Sequence, residues 1–181
     1  MRWCFYLINV ILYGSALDTS IRQAVFDDLA RRFCISYHDG RMLARIGTGR
    51  EIMLLDTDRL SSIKLDHCIL LMKTDASPSE LSLLSGSTVA VANSENGLQL
   101  AELSELQIPV LTCGMRPKDT LTYSSCGQDN VVIALQRTIT TVDGSRVEPL
   151  ELPIADTFGI DGYPLLAYTA LRLLLGDEAG G

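Results

Sequence analysis

Apolar residues fall in short runs separated by turn-forming and charged positions, and their spacing predicts strands alternating with helices. Residues 6–13 form an apolar run of strand length. Behind it Ile21, Ala24, Val25, Leu29 and Phe33 recur at helical spacing, predicting an amphipathic helix over residues 19–33 with Asp18 or Thr19 as its cap. Residues 35–37 and 42–46 read as short strands joined by the His38-Asp39-Gly40-Arg41 turn. Residues 52–55, ending at Asp56, and 67–72, ending at Lys73, have the continuous apolar character of buried parallel strands.

Ser77-Pro78-Ser79-Glu80 offers a hydroxyl cap and a proline at the first helical position, which predicts a helix over residues 77–84. A strand over 88–92, a helix over 97–106 and a strand over 109–113 complete a βαβαβ rhythm. Past Gly114 three runs, 120–125, 130–138 and 146–152, have only turn residues between them and read as an antiparallel meander. A last helix over 163–175 stops at Gly176. The expected fold is one α/β domain over residues 1–176, three-layered, with a mainly parallel sheet, helices on both faces and a small antiparallel meander. Residues 177–181 are expected to be a frayed tail.

Composition narrows the function classes. The 181 residues, 47 % hydrophobic and 20 % charged, suffice for one globular unit with a sizeable core. A formal charge of −7 with scattered basic residues argues against a nucleic-acid surface, which needs clustered Lys and Arg. The 5 cysteines, Cys4, Cys34, Cys68, Cys113 and Cys126, are widely spaced without a CxxC pair, and only 2 histidines, His38 and His67, accompany them. That pattern is neither a metal framework nor a disulfide scaffold. Buried apolar thiols in a reducing cytoplasm are the expectation, and neither Cys113 nor Cys126 has a cationic partner or a histidine nearby in sequence to make it a nucleophile. Residues 3–16 could be read as a secretory signal or as a buried first strand; Asn9 within the run and the helix directly behind it favour the strand. The run is also far short of the roughly 20 apolar residues a membrane span needs.

The segment carrying most chemistry is Gly14-Ser15-Ala16-Leu17-Asp18-Thr19-Ser20, set between the first strand and the first helix. That is the layout of a phosphate-binding loop, in which backbone N–H groups at a helix N-terminus receive phosphates. A GxxxxGK[ST] loop puts lysine before the hydroxyl residue and glycine before the lysine, whereas this chain has Asp18 and Leu17 there. A carboxylate repels a polyphosphate, and without the lysine phosphoryl transfer loses charge stabilisation. The loop therefore reads either as a plain capped turn or as a weak anion site using Gly14, Ser15, Ala16, Thr19 and Ser20. Asp56, Asp58 and Asp75 stand at or beyond the ends of strands, where they form a candidate carboxylate set for magnesium or act as solvated turn residues.

In this order the segments resemble the central ATP-binding domain of the Mur ligase family, the amino-acid-adding enzymes of peptidoglycan synthesis and their relatives. The family's GTxGKT[ST] loop corresponds to Gly14 to Ser20, and its magnesium-holding glutamate at a strand end corresponds to Asp56. Its TNxxxDH segment, whose histidine binds metal, matches DHCILLMKTDASPSEL at Thr74, with Asp75 for the asparagine and no histidine after it. The family's strand, Asn-x-Asp-Asp turn, helix and strand resemble GSTVAVANSENGLQLAELSELQIPVLTCG, with Asn93, Ser94, Glu95 and Asn96 in the turn and Cys113-Gly114 closing it. The family's Gly-x-His-Asn-x-x-Asn motif corresponds to Gly159-Ile160-Asp161-Gly162-Tyr163, where neither histidine nor asparagine is present.

The resemblance thus keeps the packing residues and replaces the ligands. It implies a non-catalytic Mur-ligase-like domain that acts by binding a protein partner or by forming an oligomer, with no cofactor. The alternative is a residual nucleotide- or anion-binding subunit of an ATP-dependent amide ligase. That version would use ATP and Mg, with Asn93 joining the loop at the nucleotide and Asp56 and Asp75 at the metal.

Overall fold

The computed structural model describes residues 7–78, 81–85, 87–127 and 131–177. In chain order the elements are β1 (Ile8–Tyr13), α1 (Ser20–Asp27), a 3-10 turn (Leu29–Arg31), β2 (Phe33–His38), β3 (Leu43–Ile46), β4 (Arg50–Thr57), β5 (Ser62–Lys64), β6 (Cys68–Met72), β7 (Ser82–Ser85) and β8 (Thr88–Asn93). There follow α2 (Gly97–Glu105), β9 (Val110–Cys113), β10 (Leu121–Cys126), β11 (Val131–Leu135), β12 (Ile139–Thr140), β13 (Arg146–Val147), β14 (Leu150–Ile154) and α3 (Gly162–Leu174).

A sheet of 10 strands runs β14-β11-β10-β9-β8-β6-β1-β4-β2-β3. β1 lies inside it, parallel to β4 and β6, with Ile11 opposite Leu55 and Leu70. Each of its residues is buried, as a strand covered on both faces requires. Burying one such aliphatic side chain stabilises the fold by about 1.5–3 kcal/mol, so this strand anchors the sheet. Asn9, the polar residue in the run, donates Nδ2 to the Asp66 carbonyl at 2.8 Å.

One face packs under α1 and α3 through Ile21, Val25, Leu166 and Leu171, and the other under α2 through Leu103. Helices thus cover both faces of a mainly parallel sheet. The meander is present as β10, β11 and β14, antiparallel to one another in turn, and it continues the main sheet through β10, which pairs in parallel with β9. A separate two-stranded antiparallel sheet, β12 with β13, lies beside it. Among the described residues no helix is long and apolar enough to cross a membrane.

Two local expectations fail. No helix forms over residues 77–84: Leu81 N–H closes a turn on the Pro78 carbonyl at 2.8 Å, and β7 then pairs in parallel with β5. Residues 79 and 80 of that range lie outside the described residues. The Ser77 hydroxyl bonds the Glu102 carboxylate rather than capping a helix, and the Ser82 hydroxyl and N–H both reach the Ser61 carbonyl, so strand pairing prevails. The helix predicted to run to Phe33 ends at Asp27, because Phe33 opens β2 opposite Arg50. Gly47 explains the crowding there: at φ +83°, a Cβ would stand 2.2 Å from the carbonyl oxygens of both Ala30 and Phe33.

Candidate functional site

In open α/β sheets ligands sit beyond the carboxyl ends of the parallel strands. Here the first loop at that end is drawn tight by a lysine from the neighbouring strand. Lys73 directly follows β6, and its backbone N–H bonds the Tyr13 carbonyl at 2.8 Å. Its side chain passes under Gly14, where a Cβ would lie 2.7 Å from the Lys73 Cβ and 3.0 Å from that of Ala76. With Gly14 at φ +142°, only glycine leaves room for this passage.

The Lys73 ammonium donates to Asp56 Oδ1 at 2.6 Å and to the Ser15 carbonyl at 2.8 Å. Lys73 is 1 % exposed and Asp56 3 %. Asp56 Oδ2 has no hydrogen-bond partner and faces Arg22 at 3.6 Å, its guanidinium held near the start of α1. Arg22 also donates to the Tyr37 hydroxyl at 3.0 Å, and that hydroxyl donates to Asp39 Oδ2 at 2.9 Å. Burial pushes the Asp56 carboxyl up from its ordinary value, opposed by the Lys73 hydrogen bond and charge and by Arg22. Burial likewise raises Tyr37 to about 12. Asp39 moves the other way, to about 2, because the backbone N–H groups of Arg41 and Met42 donate to it at 2.9 and 2.7 Å.

Four of the loop's N–H groups go to the chain's own acceptors. Gly14 N–H bonds the Thr57 carbonyl at 3.0 Å, and Asp18 N–H bonds the Ser15 carbonyl at 3.1 Å. Leu17 N–H reaches Ser15 Oγ, and Ser20 N–H reaches Asp18 Oδ1, both at 3.2 Å. Thr19 holds the N-cap position of α1 but makes no side-chain cap bond; the carboxylate that receives a first-turn N–H is that of Asp18, one residue earlier. A carboxylate of the chain itself stands where the positive end of α1 would meet an anion.

The other sequence candidates are placed apart from this pair. Asn93 ends β8, on the far side of β6 from β1, and its Oδ1 accepts the Glu95 N–H at 3.0 Å. Asp75 is exposed in the turn beyond β6, and the partner of Asp56 is Lys73 rather than a second carboxylate. Among the described residues no cluster of three or more His, Cys, Asp or Glu is poised to hold a metal. Ser15 and Ala16 are exposed at the loop tip.

Beyond β8, Asn96 caps α2 by accepting the Gln99 N–H at 3.1 Å. Fully buried Gln99 donates to the carbonyls of Lys73 and Ala76 at 3.2 and 3.0 Å and accepts the Asn93 N–H at 3.0 Å. It clasps the stretch that carries the lysine. Tyr163, in the first turn of α3, donates its hydroxyl to the Met72 carbonyl at 2.5 Å, and burial raises it well above its ordinary value. Cys34, Cys68 and Cys113 are buried, and burial raises Cys68 to about 12 and Cys113 further. Cys126 is exposed, and Cys4 lies outside the described residues.

Sequence reasoning found Gly14, Asp18 and Asp56 but missed Lys73, Arg22, Tyr37 and Asp39. The available signal was a lone cation abutting a five-residue apolar strand, CILLM, with a carboxylate ending the run IMLLD.

The mainly parallel sheet and its covering helices define the class: a Mur-ligase-like α/β fold. Two solved structures carry that likeness. One is the MurF ligase from Thermotoga maritima in complex with ADP, at 13 % identity and a TM-score of 0.54, covering 98 % of this chain and 49 % of that one. The other is UDP-N-acetylmuramoyl-L-alanyl-D-glutamate–2,6-diaminopimelate ligase, at 8 % identity and a TM-score of 0.50, covering 94 % and 43 %. The chain therefore spans about half or less of the length of these neighbours. No family model and no curated protein sequence matches it.

Proposed function

We propose that this chain is a non-catalytic Mur-ligase-like domain that acts by association, with a protein partner or with a second copy of itself. The observation that carries the reading is the Lys73 ammonium, bonded to Asp56 and to the Ser15 carbonyl with almost no solvent contact. If Asp56 corresponds to the family's metal-binding carboxylate, the chain supplies its own monovalent cation there. A magnesium nucleotide is a poor fit to these residues: the loop N–H groups at Leu17, Asp18 and Ser20 are occupied, and Asp18 would face the phosphates. The alternative, a nucleotide- or anion-binding subunit of an amide ligase with ATP and Mg as its ligands, rests on the exposed loop tip at Ser15 and Ala16.

Calorimetric titration with ATP and magnesium into the millimolar range tests the choice, on the wild type and on Asp18→Lys. No heat and no shift in melting temperature for either protein is the expected result. Saturable binding by the wild type, or binding gained on Asp18→Lys, would overturn the reading in favour of the alternative.

A further inference from the structure

We propose that two copies of this chain join edge to edge through β3, antiparallel, about a twofold axis at Ala44. The inference deepens the reading that the chain acts by association, and rests on it. β3 ends the sheet, and among the described residues no strand pairs with its outer side. Its partner is β2, with Ile35, Ser36, Tyr37 and His38 opposite Ile46, Arg45, Ala44 and Leu43. The Met42 carbonyl accepts the Asp39 N–H at 3.3 Å, so by antiparallel alternation the inward backbone groups belong to residues 42, 44 and 46. The N–H and C=O groups of Leu43 and Arg45 point outward.

Sheet edges in folded proteins are commonly guarded by proline or by charge. The opposite edge has such a guard: Pro153 of β14 stands opposite Val132, and lacking an N–H it must occupy an outward position. β3 has no proline. Its charge is drawn back over its own sheet, since Arg45 donates Nε to Cys34 Sγ at 3.1 Å and its guanidinium pairs with Glu51. What remains at the edge is apolar: Met42 is 46 % exposed, Leu43 80 % and Ile46 37 %.

The pattern is self-complementary in one register. In a continuous sheet, directly opposed residues must point to the same face, so the axis must pass through a residue rather than between two. Centred on Ala44, Leu43 and Arg45 of opposite copies exchange hydrogen bonds twice, and Met42 lies opposite Ile46. Met42, Ala44 and Ile46 share the face of Ile35 and Tyr37, so the apolar core layer runs on across the junction. Centring on Arg45 would oppose two guanidinium groups, and centring on Leu43 would oppose Arg41 to Arg45. Like charges, softened at Arg45 by Glu51, thus disfavour the neighbouring registers. An edge this narrow lies at the small end of interfaces, so the dimer should dissociate on dilution.

Sedimentation of the full chain across a micromolar concentration series should show the mass double. In a Cys126→Ser background, oxidised Ala44→Cys should yield a covalent dimer, because the opposed positions lie about 4.5 Å apart at Cα in a non-hydrogen-bonded pair. Leu43→Cys should give none in this register. Leu43→Pro removes an outward donor and should hold the protein monomeric with an unchanged far-ultraviolet spectrum; Met42→Glu tests the same surface if the proline disturbs the hairpin. A wild type monomeric throughout, or cross-linking at 43 as strongly as at 44, overturns the dimer. ATP titration of the same samples keeps the readings apart: a monomer without ATP binding removes this dimer alone, and ATP binding removes the non-catalytic reading alone.

Discussion

Replacing Lys73 with methionine keeps the length of an apolar stem and deletes the charge that sits on Asp56. At an N–O separation of 2.6 Å and an effective dielectric of about 20, the attraction is about 6 kcal/mol before desolvation is counted. Breaking a buried pair by removing one partner costs about 3–5 kcal/mol, because the carboxylate is stranded out of water. Near pH 7 Lys73→Met should therefore lose about 3–5 kcal/mol in urea unfolding, an amount comparable with the whole stability of many domains. The deficit has a sign in pH. Burial already raises Asp56, and without the ammonium its folded value stands further above the unfolded one. Stability from the neutral carboxyl is then full below the unfolded value, about 3.9, and lost as pH rises through the folded value, so the variant should recover toward wild type in acid. Asp56→Leu alone strands the lysine, whereas the double variant Lys73→Met with Asp56→Leu should be more stable than either single one. Additive losses in that cycle, or a Lys73→Met cost below about 1 kcal/mol, would refute the reasoning.

Two further outcomes test the surroundings of the pair. Gln99→Leu strands the carbonyl of Ala76 and the N–H of Asn93, while the Lys73 carbonyl keeps the Ala76 N–H, at about 1–3 kcal/mol for each buried group left unpaired. A drop in melting temperature of about 5 °C or more is expected, and a drop under 2 °C would show that water takes over those bonds. Asp39, held at about 2 by the Arg41 and Met42 N–H groups, contributes stability that is full above its unfolded value, about 3.9, and lost as pH falls through about 2. The gap between wild type and Asp39→Asn in chemical denaturation should accordingly close over that window; a gap independent of pH would place the effect elsewhere.

Much of the architecture is legible because parallel strands buried on both faces must be continuously apolar. β1, β4, β6 and β8 stand where such runs occur, and the helical spacing of Ile21, Ala24 and Val25 marks the buried side of α1. The site was legible only on one side. Gly14 and Asp18 are local signals, a bend and a cap, and local geometry reveals them. Lys73 closes an apolar run, and nothing local distinguishes a lysine facing solvent from one folded under a glycine 59 positions earlier. Tyr37 and Asp39 come near Asp56 only through the pairing of β2 with β4, and reach Arg22 only once α1 lies over that sheet. The error at residues 77–84 has the same origin: β7 is extended because of β5, a segment with no strong strand signal of its own.

The interior position of β1 shapes how the protein is made as well as how it stands. Its residues leave the ribosome before the strands that flank it, Arg50–Thr57 and Cys68–Met72, the second ending 59 residues after Tyr13. At about 5–20 residues per second, this buried strand waits roughly three to twelve seconds for its second neighbour. During that interval it is a template for chaperones or for other nascent chains, so yield in cells should respond to translation speed across residues 14–72 more than to any change in the finished fold.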